Sequence, residues 1–166
     1  MRAIDVRELL QRPGSSRTVH VREPVPDLRT ELAGVPEDTP IEGDLTLESV
    51  IEGIYVTGSL AGKMTLVCAR CLKDFERGFD VDVSELVARE SGSDDDYAIE
   101  PDLTLDPEPM VRDAVVLEMP FSPLCRPDCL GLCETCGGDR NLGECACPEE
   151  PADPRWAGLH GLFTEP

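Results

Sequence analysis

The sequence predicts an α+β protein, an antiparallel β meander with a few short helices and a stapled, cysteine-rich C-terminal segment. Between residues 41 and 89 lie several runs in which apolar and polar side chains alternate, the pattern of a sheet with one face in water. Eight cysteines fall in two blocks, two at Cys68 and Cys71 and six between Cys125 and Cys147. Fifteen prolines and fourteen glycines argue against a helix bundle, and with only 4% aromatics the core must rest on Val, Leu and Ile. A chain of 166 residues suffices for one domain with a modest core, or for a domain plus a stapled appendage. The expected division is a mixed body over 1–122 and a cysteine-rich tail over 123–166.

In chain order, Asp5-Val-Arg-Glu-Leu-Leu reads as a short helix with Asp5 as its N-cap, stopped by Pro13-Gly14. Arg17 to Arg22 alternates and is rich in β-branched residues, so it reads as a strand. Pro24 to Pro40 carries four prolines and reads as a meandering connection. Strands are expected over Ile41–Val50, Glu52–Leu60, Lys63–Val67 and from Phe75 to Arg89, with a tight turn at Ala61-Gly62. In the last of these, Phe79, Val81 and Val83 should face inward while Asp80, Asp82 and Ser84 face water. Cys68-Ala-Arg-Cys71 then sits at the turn between the last two strands.

Glu90 to Asp106 holds an acidic run and two prolines, and reads as a mobile loop. Asp94-Asp95-Asp96 lacks the spaced ligands and closing Glu of a calcium loop, so a solvated loop is the better reading. Pro107 to Met119 has Met110, Ala114, Val115 and Leu117 at near-helical spacing, a helix packed on the sheet and ended by Pro120. A short terminal helix should start at Asp153 and dock through Trp156, Leu159 and Leu162.

Net charge is −19. That excludes a protein that simply coats nucleic acid, since phosphate binding needs Lys and Arg in excess, and disfavours docking on an anionic membrane. The balance is uneven, because residues 1–29 carry six arginines against four acids. An acidic body with an arginine-bearing N-terminal stretch suits basic protein partners, with at most local RNA contact. Solubility alone also accounts for acidity. MRAIDVRELL is too charged for a secretory signal, and no apolar run approaches the roughly 20 residues of a membrane span. A cytoplasmic location is expected, where thiols stay reduced and eight cysteines favour metal over disulfides.

Closed structural zinc sites are commonly four cysteines, and C-x-x-C turns aim two thiolates at one point. Cys68-Ala-Arg-Cys71 and Cys133-Glu-Thr-Cys136-Gly-Gly are such turns, and Cys145-Ala-Cys147 closes the tail. One or two zinc ions are expected. By locality, Cys133, Cys136, Cys145 and Cys147 make one site while Cys68, Cys71, Cys125 and Cys129 make another. Pairing the two C-x-x-C turns as a ribbon, or one zinc with spare thiols, remains open. A catalytic zinc usually needs a His or carboxylate, and His20 and His160 are the only histidines, neither beside a turn. A dithiol redox role for Cys68-Cys71 needs a βαβ setting, whereas Lys73-Asp74-Phe75 leads into another strand. The usual ferredoxin spacings are missing, as are a phosphate-cradling glycine loop, G-x-S-x-G and H-E-x-x-H. Glu108 and Glu118 are isolated helix acids, so no catalytic role is expected.

The segments DVRELLQRPG, DLTLESVIEGIYVTGSLAGKMTLVCARCL and MPFSPLCRPDCLGLCETCGGDRNLGECAC, with the closing DPRWAGL, resemble the YceD family of large ribosomal RNA subunit accumulation proteins. The chain departs from the family pattern at Asp139-Arg140, where relatives usually run Asn-Leu-Asn. The resemblance implies a role in large-subunit biogenesis, supporting accumulation of its RNA, and supplies no catalytic residues. Together with the charge split, it implies contact with large-subunit precursors through basic ribosomal proteins or assembly factors. Any direct RNA contact would use Arg2, Arg7, Arg12, Arg17, Arg22 or Arg70. A zinc-stabilised adaptor without a ribosomal role and a C-x-x-C dithiol protein are the alternatives.

Overall fold

The alternation between residues 41 and 89 builds the centre of the fold. In the computed structural model, which describes residues 1–90, 92, 97–143, 145–148 and 155, three long strands run as consecutive hairpins. They are β4 (Ile41–Ser49), β5 (Gly53–Val67) and β6 (Asp74–Ala88), preceded by β2 (Ser16–Glu23) and β3 (Ala33–Gly34). All pairings among them are antiparallel. β6 follows β5 from Gly53↔Ala88 to Val67↔Asp74 and so takes the whole of one edge. β4 and β3 share the other edge, β4 from Ile54 to Ala61 and β3 at Thr65 and Leu66. β2 lies outside β4, its register running from Ser16↔Glu48 to Glu23↔Ile41. The architecture is mostly antiparallel sheet with two short helices, as expected for the α+β class.

One face of this sheet makes the core. Leu45 and Leu47 of β4, Ile54, Val56, Leu60, Met64 and Leu66 of β5, and Phe79, Val81, Val83 and Val87 of β6 are all buried. The inward set expected on β6 is therefore correct, and Asp80, Asp82 and Ser84 face water. Helix α2 (Glu108–Glu118) covers the sheet through Met110, Val111 and Val115, with Met119 completing the apolar stripe. Leu117, expected in that stripe, is 86% exposed. Leu117 lies seven residues, close to two full turns, beyond the buried Met110, so its exposure comes from its place at the helix end and not from its direction round the helix.

Ala61-Gly62 is not a turn. Both residues pair within β5, Ala61 with Asp80 and Gly62 with Phe79. Gly62 sits on the inner face, and a Cβ there would lie 2.6 Å from Phe79 Cζ. The glycine makes room for a ring, a use of glycine in strands that looks like a turn signal in sequence. Gly58 serves a second close approach, since its Cβ would meet the Asp44 carbonyl oxygen at 2.1 Å. Expected helix and loop boundaries also move. Asp5 lies in β1 (Ile4–Asp5) rather than at an N-cap, and α1 spans Arg7–Leu10. The Asp5 carboxylate still accepts the Arg7 backbone N–H at 3.0 Å.

The connection over Pro24–Pro40 contributes β3 and buries Val25, Leu28 and Val35. The expected mobile loop after Glu90 is tied down in its second half. Ala88 donates to the Tyr97 carbonyl and Ile99 to the Ala88 carbonyl, both at 2.8 Å. β7 (Thr104–Leu105) pairs with β1, burying Leu105. Asp94–Asp96 and the terminal helix with Trp156, Leu159 and Leu162 lie outside the described residues.

Gly62→Val should cost roughly 1–3 kcal/mol by driving a side chain into the Phe79 ring. In a Phe79→Leu background the same substitution should cost measurably less. Urea unfolding of the four proteins in that cycle checks the coupling.

Candidate metal centre

The hairpin tip between β5 and β6 is the Cys68–Lys73 turn. It closes through two backbone bonds, Cys68 N–H to the Lys73 carbonyl and Leu72 N–H to the Cys68 carbonyl, both at 2.9 Å. The residue after the second cysteine, Leu72, takes φ 57°. The second C-x-x-C turn repeats the pattern. Cys133 N–H donates to Gly138 O and Gly137 N–H to Cys133 O, both at 2.8 Å, and Gly137 has φ 71°. The glycine expected to supply a left-handed residue does so in the tail, while at the hairpin tip a leucine accepts that backbone strain.

These turns put the sulfurs into two groups, Cys68, Cys71, Cys125 and Cys129, and Cys133, Cys136, Cys145 and Cys147. Within each group the Sγ atoms lie within 4.8 Å of one another. This is the division by locality, and the ribbon pairing of the two C-x-x-C turns does not form. Cys68 and Cys129 Sγ are 3.9 Å apart, and Cys71 and Cys125 Sγ 3.8 Å. A tetrahedral tetrathiolate with metal–sulfur bonds of about 2.3 Å has sulfur–sulfur edges near ~3.8 Å. A disulfide would need about 2.05 Å. Spacing and donor chemistry both fit a metal held by four thiolates, so each tetrad can hold one ion.

The two groups differ in setting. In the first, Cys68, Cys71 and Cys129 are buried and covered by Phe75 and Leu124, with Cys125 exposed. In the second, Cys136 is exposed and the other three are half-buried. Each group contains one acidic and one reluctant thiol. Burial alone would raise Cys68, but backbone N–H groups of Cys125, Cys71 and Arg70 outweigh it and bring it down to about 6. Burial and the three neighbouring thiols push Cys125 up to about 12. The Cys136 backbone N–H and the Cys145 thiol lower Cys133 to about 6. The Cys136 and Cys145 thiols push Cys147 up to about 12. Four sulfurs this close cannot all carry negative charge without a cation among them.

Residues outside the cysteines join the tail to the hairpin. Ala69 N–H donates to Pro123 O at 2.8 Å, and Leu132 N–H to Arg70 O at 3.0 Å. Arg70 Nη1 donates to the Cys129 carbonyl at 2.9 Å. Gly131, at φ 73°, lets the tail pass the knuckle, since a Cβ there would lie 2.9 Å from Arg70 O. Lys73 Nζ pairs with Asp139 Oδ2 at 2.6 Å. Asn141, which lies between the cysteines of the second group, reaches back to the first. Its Nδ2 donates to Cys129 Sγ at 3.6 Å and to Asp139 Oδ1 at 2.7 Å. Its Oδ1 accepts Leu130 N–H at 2.8 Å and Arg126 Nη2 at 2.7 Å.

Sequence reasoning did not assign roles to Lys73, Asp139 or Asn141. A usable signal was the Asp-x-Asn spacing, because Asp139 Oδ1 accepts the Asn141 backbone N–H at 2.8 Å, the Asx turn such a pair favours. Asp139 thus places a carboxylate where Lys73 meets it.

Of the arginines considered for RNA contact, several are engaged within the chain. Arg7 Nη2 donates to Asp102 O at 3.0 Å and Arg17 Nη2 to Asp5 O at 2.7 Å. Arg22 Nε pairs with Glu42 at 3.3 Å on the outer face of β2 and β4. Arg70 holds the tail, and Arg2 and Arg12 are exposed.

Lys73, with Asn141 behind it, holds the Asp139 carboxyl down to about 2. A carboxyl depressed on folding stabilises the fold above its unfolded value near ~4, and that stabilisation is lost as pH falls from there through about 2. Urea midpoints of Asp139→Asn should therefore fall less steeply than wild type across that window, the two approaching each other at its acid end, where both side chains are neutral.

The chain matches the family model described as large ribosomal RNA subunit accumulation protein YceD over residues 56–163. A Mycobacterium tuberculosis protein is 38% identical over 164 residues, 94% of this chain and 78% of the relative. A Mycobacterium leprae protein is 34% identical over 169 residues, 96% of this chain and 76% of the relative. The YlbN protein of Bacillus subtilis is 29% identical over 111 residues, 64% of each chain. No solved structure matches. No helix among the described residues is long and apolar enough to cross a membrane. The matched span takes in most of β5, all of β6 and α2 and all eight cysteines, and the chain belongs to the YceD family.

Proposed function

We propose that this protein is a non-enzymatic, zinc-stapled factor of the cytoplasm that supports accumulation of large-subunit ribosomal RNA, meeting the precursor through basic ribosomal proteins or assembly factors. The family's description supplies the ribosomal part. The observation that carries the rest is the closure of both tetrads by four sulfurs. A site that offers four protein ligands leaves no position for substrate or water, which is the pattern of a structural rather than a catalytic zinc. Cys68, whose thiol is the most acidic of the first group, is fully buried, whereas a redox dithiol needs an accessible thiolate.

The acidic surface supports a protein-mediated contact. With its −19 charge, the molecule lacks the excess of Lys and Arg that an RNA backbone calls for. Zinc in the first tetrad would fix the tail to the hairpin tip, and the amide of Asn141 would hold one ligand sulfur in place.

Metal analysis of purified protein should return two zinc ions per chain. Asn141→Ala should lower zinc affinity of the buried tetrad by about 10–100-fold, as loss of a ligand's hydrogen-bond partner does elsewhere, read by chelator competition. Gradient sedimentation of cell extracts should place the protein with large-subunit precursors. A protein found only at the top of the gradient, with wild-type levels of large-subunit RNA in cells lacking it, would remove the ribosomal reading.

A further inference from the structure

Two grooves flank α2, and they share Val116 and Leu117. One, of about 380 Å³, is almost wholly apolar and is lined by Leu32, Leu117, Met119, Pro120 and Phe121. Leu117 is 86% exposed and Phe121 is fully exposed, with none of the described residues folded over either. The other, of about 730 Å³, runs between α2 and β6 and is edged by Asp80, Asp82, Glu85, Asp113 and Glu118. Among the described residues no lysine or arginine lines either groove. Asp113 is held by the Tyr97 hydroxyl at 2.6 Å, so one wall of the acidic trough is fixed in place. Exposed large apolar side chains beside a rim of one charge mark an interaction surface.

We propose that this continuous surface docks a basic segment of a partner protein, with an apolar anchor between Leu117 and Phe121 and Lys or Arg side chains along the Asp80–Glu118 trough. The proposal rests on the reading of the protein as an assembly factor and names the class of partner segment. Charge decides between occupants. A second copy of this chain would bring another −19 to an acidic trough. The chain's own residues 149–166 hold Trp156, Leu159 and Leu162, which suit the apolar groove, but they lead with Glu149, Glu150 and Asp153, which do not suit the trough. A basic partner segment with apolar anchors satisfies both halves. The apolar end also lies beside the first tetrad. Phe121 precedes Cys125 by four residues, and Leu32 O accepts the N–H of Val67, the residue before Cys68. The staple that holds the tail therefore also holds one wall of the groove.

The test uses the full-length protein and a labelled synthetic peptide in which a Leu-Phe cluster precedes a run of Lys and Arg. Two controls replace the apolar residues by Ser, or the bases by Glu. The parent peptide should bind, and both controls should bind at least about tenfold more weakly. The double variant Leu117→Glu with Phe121→Glu should lose the same factor without change in thermal unfolding, since both side chains are exposed. Asp80→Lys with Asp82→Lys should weaken binding and flatten its salt dependence. Equal binding of the Ser control, or undiminished binding by the Leu117/Phe121 variant, overturns the proposal. Two further results would do so. Trp156 is the single tryptophan, and a change in its emission in the peptide-free Leu117/Phe121 variant would show that the chain's own end covers the face. A dimer dispersed by those substitutions would show that a second copy does. Sedimentation with precursors separates the two readings. Peptide binding without co-sedimentation leaves the docking surface standing and removes the ribosomal role, whereas co-sedimentation kept by the Leu117/Phe121 variant removes the surface and leaves the role.

Discussion

Everything at the C-terminal side of this fold depends on one constraint, that Cys125 and Cys129 meet Cys68 and Cys71 at the tip of a hairpin of two fifteen-residue strands. Among the described residues between Pro120 and Cys147 the tail forms no long helix or strand of its own. Its backbone polar groups find partners instead on the Cys68–Lys73 turn, through Pro123, Cys129 and Leu132, and the buried sulfurs take the place of an apolar core. Small segments that cannot bury enough apolar surface are commonly ordered by metal in this way. The Lys73–Asp139 pair and the Asn141 amide then carry the arrangement onward to the second group of sulfurs. The two tetrads are thus one structure with two centres rather than two beads on a string.

How far this was legible in sequence depends on the length scale of the signal. The β4–β6 strands and the inward set Phe79, Val81 and Val83 were readable because alternation is local and one face is buried. The partition of eight sulfurs was foreseen only as one choice among three, since each turn points its thiols identically whichever partner it meets. What chose the partner was the length of the β5–β6 hairpin, which carries Cys68 and Cys71 to the place where the tail leaves α2. Gly62 misled because the same residue serves tight turns and close ring contacts, and only the register with Phe79 tells them apart. Leu117 misled because spacing gives its direction round the helix, close to that of buried Met110, and not whether another element covers it at the helix end. Lys73, Asp139 and Asn141 were silent because a surface-looking lysine and two small polar residues carry no pattern until the chain folds them together.

The acidic character of the molecule acquires a shape in the fold. The outward positions of β6 hold Asp80 and Asp82, and α2 adds Asp113 and Glu118 across the gap, so part of the net charge is concentrated beside an apolar strip instead of being spread as a solvated coat. The arginines of the N-terminal stretch are meanwhile engaged with carbonyls and carboxylates of the chain itself, at Asp5, Asp102 and Glu42. The acidic strip beside α2 is the complement that the proposed basic partner segment would need.

The separation of the sulfurs along the chain has a consequence for synthesis. Cys68 and Cys129 are 61 residues apart, while β4, β5 and β6 pair with one another as consecutive hairpins. A growing chain can complete its hairpins while offering a metal only two thiolates. A four-thiolate site could be completed only when Cys129 emerges, and the second group follows within eighteen further residues, by Cys147. Because closing so long a loop is entropically unfavourable until four ligands act together, the first tetrad would form late, after the strands it clasps.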